Sequence, residues 1–380
     1  MKTIQAITEL AASAPAGEVL AMATVMKVRG SAYRRPGARM LMTADGRTAG
    51  MISGGCLEND TRLRGREVMA TGRPVLVTYD STAPEDIVFG LGLGCQGIVQ
   101  VLIEPVTAGD ESSVLAFLSA CVARRQAGRL ATIFQPEGPH LGSRVLRWPD
   151  GRVTYSEMPS EIAPPLLRAL QENTACRHLV CPIELPTGNK AEILVETVAP
   201  PVPLMVFGAG DDAIPLADLA RLVGWHVSVI DARAEYAKAE RFPSAHAVHC
   251  LHPEDLSSSS PVLLAPETMA MIMTHRFAQD KELLRALLPR GLRYVGILGP
   301  KSRTQRLLDE LTDEGAAFSG KHLARLHSPA GLDIGAETPE EIALSILSEM
   351  QAVLGQRRGG ALRERTSPIH EAATEILASA

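Results

Sequence analysis

The pattern of hydrophobic and polar positions changes near residue 200, and the change divides the chain into two parts. Before it, short apolar runs separated by glycine-rich and polar turns predict strands with helices between them. After it, apolar strands alternate with helical patterns, which is typical of a parallel sheet built from βαβ units. Pro200, Pro201 and Pro203 form a stiff linker between the two patterns.

In the first part, the apolar positions predict a helix over residues 2–14 and a buried strand over 19–28. Further strands are predicted over residues 40–42, 48–52, 75–79, 98–104, 130–134, 144–148, 152–155 and 193–198, and further helices over 57–70, 112–127 and 161–171. The strands after residue 128 carry no candidate chemistry, and we expect them to complete the sheet of the first domain.

The second part begins with the pattern of a dinucleotide-binding βαβ unit. A strand is followed by a turn with Gly208 and Gly210, then by a helix and a second strand that ends at Asp231. Asp231 lies 23 positions after Gly208, where the ribose-binding acid of the G-x-G-x-x-G/A fingerprint is expected. Asp211 and Asp212 follow in the turn, and their carboxylates suit the helix dipole but repel phosphate. The pattern therefore indicates a Rossmann-type fold more strongly than a bound dinucleotide.

Two later strands, over residues 269–273 and 294–298, end at further candidate residues. Ligands of open α/β sheets bind beyond the carboxyl ends of the strands. This rule places Thr274, His275, Lys301, Ser302 and Arg303 at site positions, and Gly299 begins the turn that carries the last three of them.

These patterns together predict an α/β protein. We expect an N-terminal mixed α/β domain over residues 1–199 and a C-terminal Rossmann-like, doubly wound domain over 200–354. Thr338 and Glu341 predict a capping box at the start of the last helix. Residues 355–380 are rich in Arg and Gly and then polar, and we expect them to form a partly disordered tail.

The first candidate chemistry is a turn in which Ser53, Gly54 and Gly55 lead into Cys56 at the start of a predicted helix. Two glycines let the backbone turn sharply and approach another molecule closely. The N–H groups of such a turn and the helix start form an anion-binding concavity. The positive end of the helix dipole also favours a thiolate, so Cys56 is a candidate reactive thiol.

A second glycine-rich turn contains Gly94 and Cys95, and a basic loop contains Arg29, Arg34 and Arg35. Arginine presents a fork of donors that suits phosphate and carboxylate. A lone glycine–cysteine turn or a lone basic loop is more often structural. The combination of two such turns with the loop favours a functional site.

Composition narrows the function classes. The chain has 380 residues, with 46% hydrophobic and 21% charged residues, as in soluble globular proteins. Its net charge of −5 argues against general nucleic-acid binding, and no apolar run approaches the length of about 18 residues that a membrane span requires. The N-terminus lacks a signal-peptide pattern. The six cysteines are irregularly spaced without a C-x-x-C pair, which fits thiols in a reducing cytoplasm.

The chain resembles the xanthine dehydrogenase accessory factor family, also called the XdhC/CoxI family, over most of its length. The motifs that carry the resemblance are Gly30-Ser31 with Arg35-Pro36-Gly37, Ser53-Gly54-Gly55-Cys56-Leu57-Glu58, Gly92-Leu93-Gly94-Cys95, the Rossmann turn with Asp231, Thr274-His275 with Asp280, Gly296-Ile297-Leu298-Gly299, and the run from Gly331 to Ala343. The chain departs from many members at Asp211 and Asp212, where a Gly-x-Gly-His-Val turn is usual, and at Gln96, where glycine is more usual.

The resemblance implies a cytoplasmic maturation factor for a xanthine dehydrogenase-type molybdenum hydroxylase. Such factors bind the molybdenum cofactor (molybdopterin), help it receive sulfur from a cysteine desulfurase and deliver it to the apo-enzyme. The implied protein is a chaperone rather than a turnover enzyme, and a homodimer is common.

On this hypothesis, Cys56 and Cys95 approach the metal or carry sulfur, with Cys56 as the contact to molybdenum. The residues implied to bind the cofactor or a nucleotide are Arg29, Arg34, Arg35, Ser53, Gly54, Gly55, Glu58, Gly94, Gly208, Gly210, Asp231, Thr274, His275 and Gly299.

Two other functions fit parts of the sequence. An NAD(P)-dependent oxidoreductase would use Gly208, Gly210 and Asp231 for its cofactor and His275 as general acid or base. A nucleotide or redox sensor would use the Rossmann pocket together with the thiols. The oxidoreductase hypothesis leaves the two glycine–cysteine turns of the first domain without a purpose.

Overall fold

The computed structural model describes residues 2–81, 97–174, 176–256, 264–366 and 369. The chain packs as two compact units, of which the first runs to Pro200 and the second begins at Pro201. Among the described residues, no helix is both long enough and apolar enough to cross a membrane.

Within the described part of the first unit, the strands form two antiparallel sheets of five strands each. The first sheet consists of β1 (Val19–Gly30), β2 (Arg39–Met42), β3 (Thr48–Gly50), β4 (Val75–Asp80) and β5 (Gly97–Thr107), in the order β3-β2-β1-β5-β4. The second consists of β6 (Gly128–Gln135), β7 (Arg144–Arg147), β8 (Val153–Tyr155), β9 (His178–Glu184) and β10 (Lys190–Val198), in the order β8-β7-β6-β10-β9.

The expectation that the middle of the chain completes the first sheet is wrong. The central strand β6 pairs with β7 on one side and β10 on the other, so its backbone groups are satisfied within a separate sheet. The sequence also did not predict β9, which contains Pro182. A proline is tolerated in β9 because this strand lies at the edge of its sheet.

Helices cover the two sheets. They are α1 (Lys2–Ser13), α2 (Glu58–Thr71), α3 (Val114–Ala123) and α4 (Ala163–Glu172). Helix α2 packs on the first sheet through Val68, and α4 packs on the second through Leu166. The opposite faces of the sheets meet each other through residues such as Met26 and Phe134. The layers of this unit therefore run α2, first sheet, second sheet and α4, while α1 and α3 share a core with residues of both sheets, such as Leu20 and Leu130.

Buried ion pairs connect the two sheets of the first unit. Arg39 on β2 and Glu196 on β10 are 2.7 Å apart, and their side chains are only 4% and 1% exposed. Lys27 on β1 pairs with Glu192 on β10 at 2.7 Å. Since ions inside a protein must be paired, these contacts fix how one sheet lies on the other.

The second unit contains a parallel sheet with strand order β13-β12-β11-β14-β15-β16. Its strands are β11 (Pro203–Phe207), β12 (His226–Asp231), β13 (Ala247–Cys250), β14 (Met269–Ile272), β15 (Tyr294–Ile297) and β16 (Leu326–His327). Its helices are α5 (Ala213–Leu222), α6 (Phe277–Leu287), α7 (Lys301–Asp313), α8 (Gly320–Leu323) and α9 (Pro339–Leu354), with single 3₁₀ turns over Ala239–Arg241, Pro253–Asp255, Leu288–Arg290 and Leu362–Glu364.

This strand order is that of the doubly wound Rossmann fold. Helices α5 and α9 pack on one face of the sheet, and α6 and α7 pack on the other. The predicted α/β fold with a Rossmann-like C-terminal domain is confirmed. The predicted capping box is also present, since Thr338 Oγ1 accepts the N–H of Glu341 while the Glu341 carboxylate accepts the N–H of Thr338.

The buried pair between Arg39 and Glu196 generates a stability prediction. Replacing Glu196→Gln leaves the Arg39 guanidinium buried without a counter-charge, and this should cost about 3–5 kcal/mol of unfolding free energy. Urea unfolding followed by circular dichroism measures the loss. The double variant Arg39→Met with Glu196→Leu should recover most of it, because neither charge then remains buried.

The matched control is the exposed pair between Arg47 and Asp45, whose side chains are 47% and 58% exposed. Arg47→Met should leave the urea midpoint unchanged, because exposed ion pairs contribute little. Equal losses for Glu196→Gln and Arg47→Met would contradict the assignment of the inner pair as a structural connection.

Candidate functional site

The turn before α2 is built around the hydroxyl of Ser53. Its oxygen accepts the backbone N–H groups of Gly55 and Leu57, both at 3.1 Å, and the hydroxyl donates to the carboxylate of Glu58. The other Glu58 oxygen accepts the N–H of Ser53 at 2.8 Å. The side chains of Ser53 and Glu58 thus fix the path of the chain between β3 and α2.

Glu58 is a buried acid, with 9% of the residue exposed. Burial acts to raise the pKa of its carboxyl, but hydrogen bonds from the hydroxyl and N–H of Ser53 and from neighbouring N–H groups outweigh it and hold the pKa below its ordinary value. Both oxygens of the Glu58 carboxylate therefore contact Ser53 and hold it in position within the turn.

Cys56 presents its thiol to an open pocket beside this turn. The residue is exposed, and its Sγ lies 3.6 Å from Ser53 Oγ. The pocket encloses about 390 Å³, including space open to solvent. Residues that line it include Ser31, Tyr33, Arg34, Ser53, Cys56 and Tyr79. The structure therefore brings the predicted basic loop and the predicted cysteine turn together.

The arginines of the basic loop lie in different environments. Arg34 lines the pocket, whereas Arg29 and Arg35 are exposed and are not part of its wall. Arg39 at the end of the loop is buried and paired with Glu196. Of the arginines predicted to bind the cofactor, Arg34 is the one that the fold directs to the pocket.

The predicted residues Gly94 and Cys95 lie outside the described residues. Ser81 and Gly97, which flank that stretch, both line the pocket. The Ser81 hydroxyl donates to the carbonyl of Gly97 at 2.7 Å, and Gly97 pairs with Gly30 in the first sheet. A Cβ at Gly97 would lie less than 3.0 Å from the carbonyl oxygens of Ser31 and Arg29, so only glycine fits there.

Two tyrosines complete this site, and sequence reasoning missed both. The exposed ring of Tyr33 lies over Gly54, with its Cγ 3.5 Å from where a Cβ would be. Tyr79 is buried and donates to Asp60 Oδ2 at 2.8 Å, and burial raises the pKa of its hydroxyl well above the ordinary value. The position of Tyr33 within the arginine loop was the available signal.

In the second unit, the predicted nucleotide residues meet at the carboxyl ends of the strands. Gly208 has φ of +111°, and a Cβ there would lie less than 3.0 Å from the carbonyl oxygen of Met273. Thr274 donates to the buried Asp280, which also pairs with Arg303 at 2.7 Å. Gly299 lies beside the same arginine. These contacts connect the turns that follow β11, β14 and β15. The strand order of the sheet reverses between β11 and β14.

Asp231 is held by groups of its own chain. Its oxygens accept the N–H of Ala209 at 2.8 Å and three hydrogen bonds from Arg233, from the backbone N–H, Nε and Nη2. Burial acts to raise the pKa of this carboxyl, but these bonds keep the pKa below its ordinary value. The guanidinium of Arg233 lies 3.7 Å over the ring of Tyr236.

The two aspartates after Gly210 are both paired. Asp212 Oδ2 lies 2.7 Å from His275 Nε2, and Asp211 Oδ1 lies 2.6 Å from Arg241. His275 adopts φ of +57°, which is uncommon for a residue with a side chain. Across the described parts of both units, no group of three or more His, Cys, Asp or Glu side chains is arranged to hold a metal ion.

Comparisons with known proteins match both units. A family model described as XdhC Rossmann domain matches residues 204–350, and one described as XdhC and CoxI family matches residues 13–80. A Bacillus subtilis protein named as a probable xanthine dehydrogenase subunit is 33% identical over 344 residues, covering 88% of this chain and 92% of that protein.

Two further proteins are similar over most of the chain. The molybdenum cofactor insertion chaperone PaoD of Escherichia coli is 22% identical over 338 residues, covering 89% of this chain and 84% of that protein. A crystal structure of a xanthine dehydrogenase from Bacillus halodurans matches with a TM-score of 0.76 and 29% identity, covering 97% of this chain and 98% of that one.

The close approach at Gly97 predicts that two glycines of the pocket respond differently to alanine. Gly97→Ala forces the new Cβ against backbone carbonyls and should cost about 1–3 kcal/mol. Gly54→Ala, the control, places its Cβ in ordinary contact with Tyr33 and should be tolerated. Thermal and urea unfolding of both variants measure the difference, and equal stabilities would refute the close approach.

The pKa of Glu58 predicts a pH-dependent contribution to stability. Because the folded-state pKa lies below the ordinary value of 4.5, the stabilisation by the ionised carboxylate is complete above pH 4.5 and is lost as the pH falls through the folded-state pKa. Glu58→Gln should therefore be less stable than the parent protein at pH 7, and the gap should narrow in acid. Urea unfolding at several pH values tests this.

Glu67→Gln is the control for Glu58, since Glu67 is an exposed acid on the same helix. This variant should follow the parent protein at every pH. A Glu58→Gln deficit that stays constant down to the acid limit would show that the carboxylate charge does not stabilise the turn.

Proposed function

The chain belongs to the XdhC and CoxI family, and on that premise we propose that it is an accessory factor for a molybdenum hydroxylase of the xanthine dehydrogenase type. In this role it binds the molybdenum cofactor, supports its sulfuration and delivers it to the apo-enzyme. The similarity to a protein named as a molybdenum cofactor insertion chaperone supports the accessory role.

The observation that carries this proposal is that the exposed Cys56 and Arg34 line the same pocket of the first unit. A molybdenum cofactor combines a soft metal–sulfur centre with a planar pterin and a phosphate. A cysteine thiolate suits the soft centre, and an arginine fork suits the phosphate. The exposed ring of Tyr33 offers a planar surface for the heterocycle.

The turn geometry indicates which groups hold which part of the cofactor. The N–H groups of Gly55 and Leu57 already donate to Ser53, so these amides are not available to a phosphate. We therefore assign the phosphate to Arg34 at the pocket wall, with the exposed Arg29 and Arg35 of the same loop as further cations. Cys56 faces the metal–sulfur end, and Glu58 positions the turn from behind.

Sulfuration and delivery complete the proposed role. The molybdenum centre of the cofactor would accept the sulfur. The protein would hold the cofactor until the apo-hydroxylase binds it. A cysteine desulfurase is the proposed sulfur donor. The exposed Cys56 thiolate could take the outer sulfur of a desulfurase persulfide, because the pocket is open to solvent; the new S–S bond at Cys56 would replace the donor's S–S bond, and the donor cysteine would leave as a thiolate.

The test is retention of the molybdenum cofactor by purified protein under anaerobic conditions. Retention is measured by molybdenum analysis and pterin fluorescence after gel filtration. Cys56→Ser should weaken retention at least tenfold, since even residues that only contact a metal's ligands change metal affinity by about 10–100-fold when they are replaced. The matched control is Cys250→Ser, since Cys250 is also exposed but lies in the second unit. This control should retain the cofactor as the parent protein does.

Equal retention by Cys56→Ser and Cys250→Ser would remove Cys56 from the site.

A second measurement separates an accessory factor from a component of the mature enzyme. The proposed factor should restore activity when it is added, loaded with cofactor, to apo-hydroxylase, and it should be absent from the purified active enzyme. Stoichiometric co-purification with the active enzyme would contradict the accessory role.

A further inference from the structure

The motif Arg35-Pro36-Gly37 forms a tight turn directly after the pocket residue Arg34. The N–H of Ala38 donates to the carbonyl of Arg35 at 3.1 Å, and Gly37 has φ of +86°, as the third position of a type II turn requires. The N–H of Gly37 also donates to the carbonyl of Val25 on β1 at 2.8 Å. Because Arg34 immediately precedes this turn, the position of the turn sets the position of Arg34 at the pocket.

Two side chains of the second sheet support this turn. A Cβ at Gly37 would lie 2.5 Å from Glu196 Oε1 and 2.6 Å from His178 Cε1, so the turn packs directly against both side chains. Arg39 Nη1 donates to the carbonyl of Gly37 at 2.9 Å and to Glu196 Oε1 at 3.1 Å. The buried ion pair that connects the two sheets therefore also holds the turn.

His178 takes part in this contact as a neutral ring. Its Nδ1 atom is buried, has no hydrogen-bond partner among the described residues, and lies 3.9 Å from Glu196 Oε1. Burial is the main reason that the pKa of His178 lies below its ordinary value of 6.5. Glu196 acts in the opposite direction, and the cations Arg177, Arg39 and Arg35 add to the effect of burial. The closed turn therefore favours the uncharged imidazole.

A proton on His178 would weaken the support of the turn. The imidazolium would attract Glu196 Oε1, which now accepts from Arg39, and it would add positive charge where three arginines already act on the ring. Opening the turn returns the ring to water and its pKa to about 6.5. Proton binding therefore favours the open turn as the pH falls below 6.5, by up to about tenfold per pH unit, until the pH reaches the lower pKa of the closed turn.

We propose that the ion pair between the two sheets positions the loop that carries Arg34, and that protonation of His178 releases this loop from its place at the pocket. The second sheet thereby controls the pocket without lining it. The effect on the cofactor rests on the proposed function of the pocket, whereas the release of the loop does not.

Hydrogen–deuterium exchange of residues 29–39 in the full chain tests the release without any cofactor. After correction for the intrinsic exchange rate, the opening equilibrium of this segment should rise about tenfold between pH 7.5 and pH 5.5 in the parent protein. His178→Gln carries no charge at either pH and should show no such rise. The matched control is His140→Gln, which removes a half-exposed histidine elsewhere in the first unit and should keep the parent response.

A second pair of variants tests the contact itself at pH 7.5. Gly37 and Gly46 have similar φ values of +86° and +91°, but a Cβ at Gly46 would have no described atom within 4 Å. Gly37→Ala should raise the opening equilibrium of residues 29–39 about tenfold, because the new Cβ displaces the turn from Glu196 and His178. Gly46→Ala introduces the same backbone strain without the contact and should leave the segment at the parent value.

Cofactor retention is then measured by molybdenum analysis at pH 7.5 and pH 5.5. The parent protein should retain less cofactor at pH 5.5, and His178→Gln should retain several-fold more than the parent at that pH. Parent and variant are compared at the same pH because the phosphate of the cofactor also titrates near pH 6.

Two results would overturn the proposal. One is a pH response of residues 29–39 in His178→Gln equal to that of the parent, and the other is equal opening in Gly37→Ala and Gly46→Ala. A loop that opens in acid through His178, while the parent and His178→Gln retain the cofactor equally, would support the release and contradict the binding of the cofactor in this pocket.

Discussion

The need to pair every buried carboxylate governs the architecture around both candidate sites. Glu196 takes Arg39 from the basic loop, Glu58 takes both polar groups of Ser53, and Asp231 takes Arg233. Each acid is buried away from water, and a buried charge without a partner would cost several kcal/mol. Each pairing uses groups that are then unavailable to a ligand: Arg39 is engaged inside the first unit, whereas Arg34 and the exposed Cys56 line the pocket.

Carboxylates are paired in both units, but the groups that remain available to a ligand differ between them. In the first, the internal pairing leaves a cysteine and an arginine on the wall of an open pocket, which suits a ligand with a soft centre and an anionic end. In the second, Asp212 pairs with His275 and Asp231 pairs with Arg233, so the carboxylates beside the glycine turn already have partners within the unit. The glycine fingerprint alone does not define the ligand, because the residues that follow it decide the charge at the turn.

The sequence predicted most elements because their signals are local. The run from Gly208 to Asp231 follows the strand–turn–helix–strand order of the fold, and Thr338 with Glu341 marked the start of α9. It missed β9 because Pro182 is unfavourable inside a strand, and only the edge position makes it acceptable. It also joined the middle strands to the wrong sheet, because strand pairing depends on contacts far apart along the chain.

The sequence by itself determined the family, the Rossmann order of the second unit and the residues that can carry chemistry, because these reside in short motifs with fixed spacing. The tertiary structure decided which of those residues are free to act. Arg34 and Arg39 lie five positions apart in the sequence, yet one lines a pocket and the other is buried against Glu196. That distinction arises only when two sheets from distant segments pack together, because their packing buries Glu196 of β10 beside Arg39 of β2.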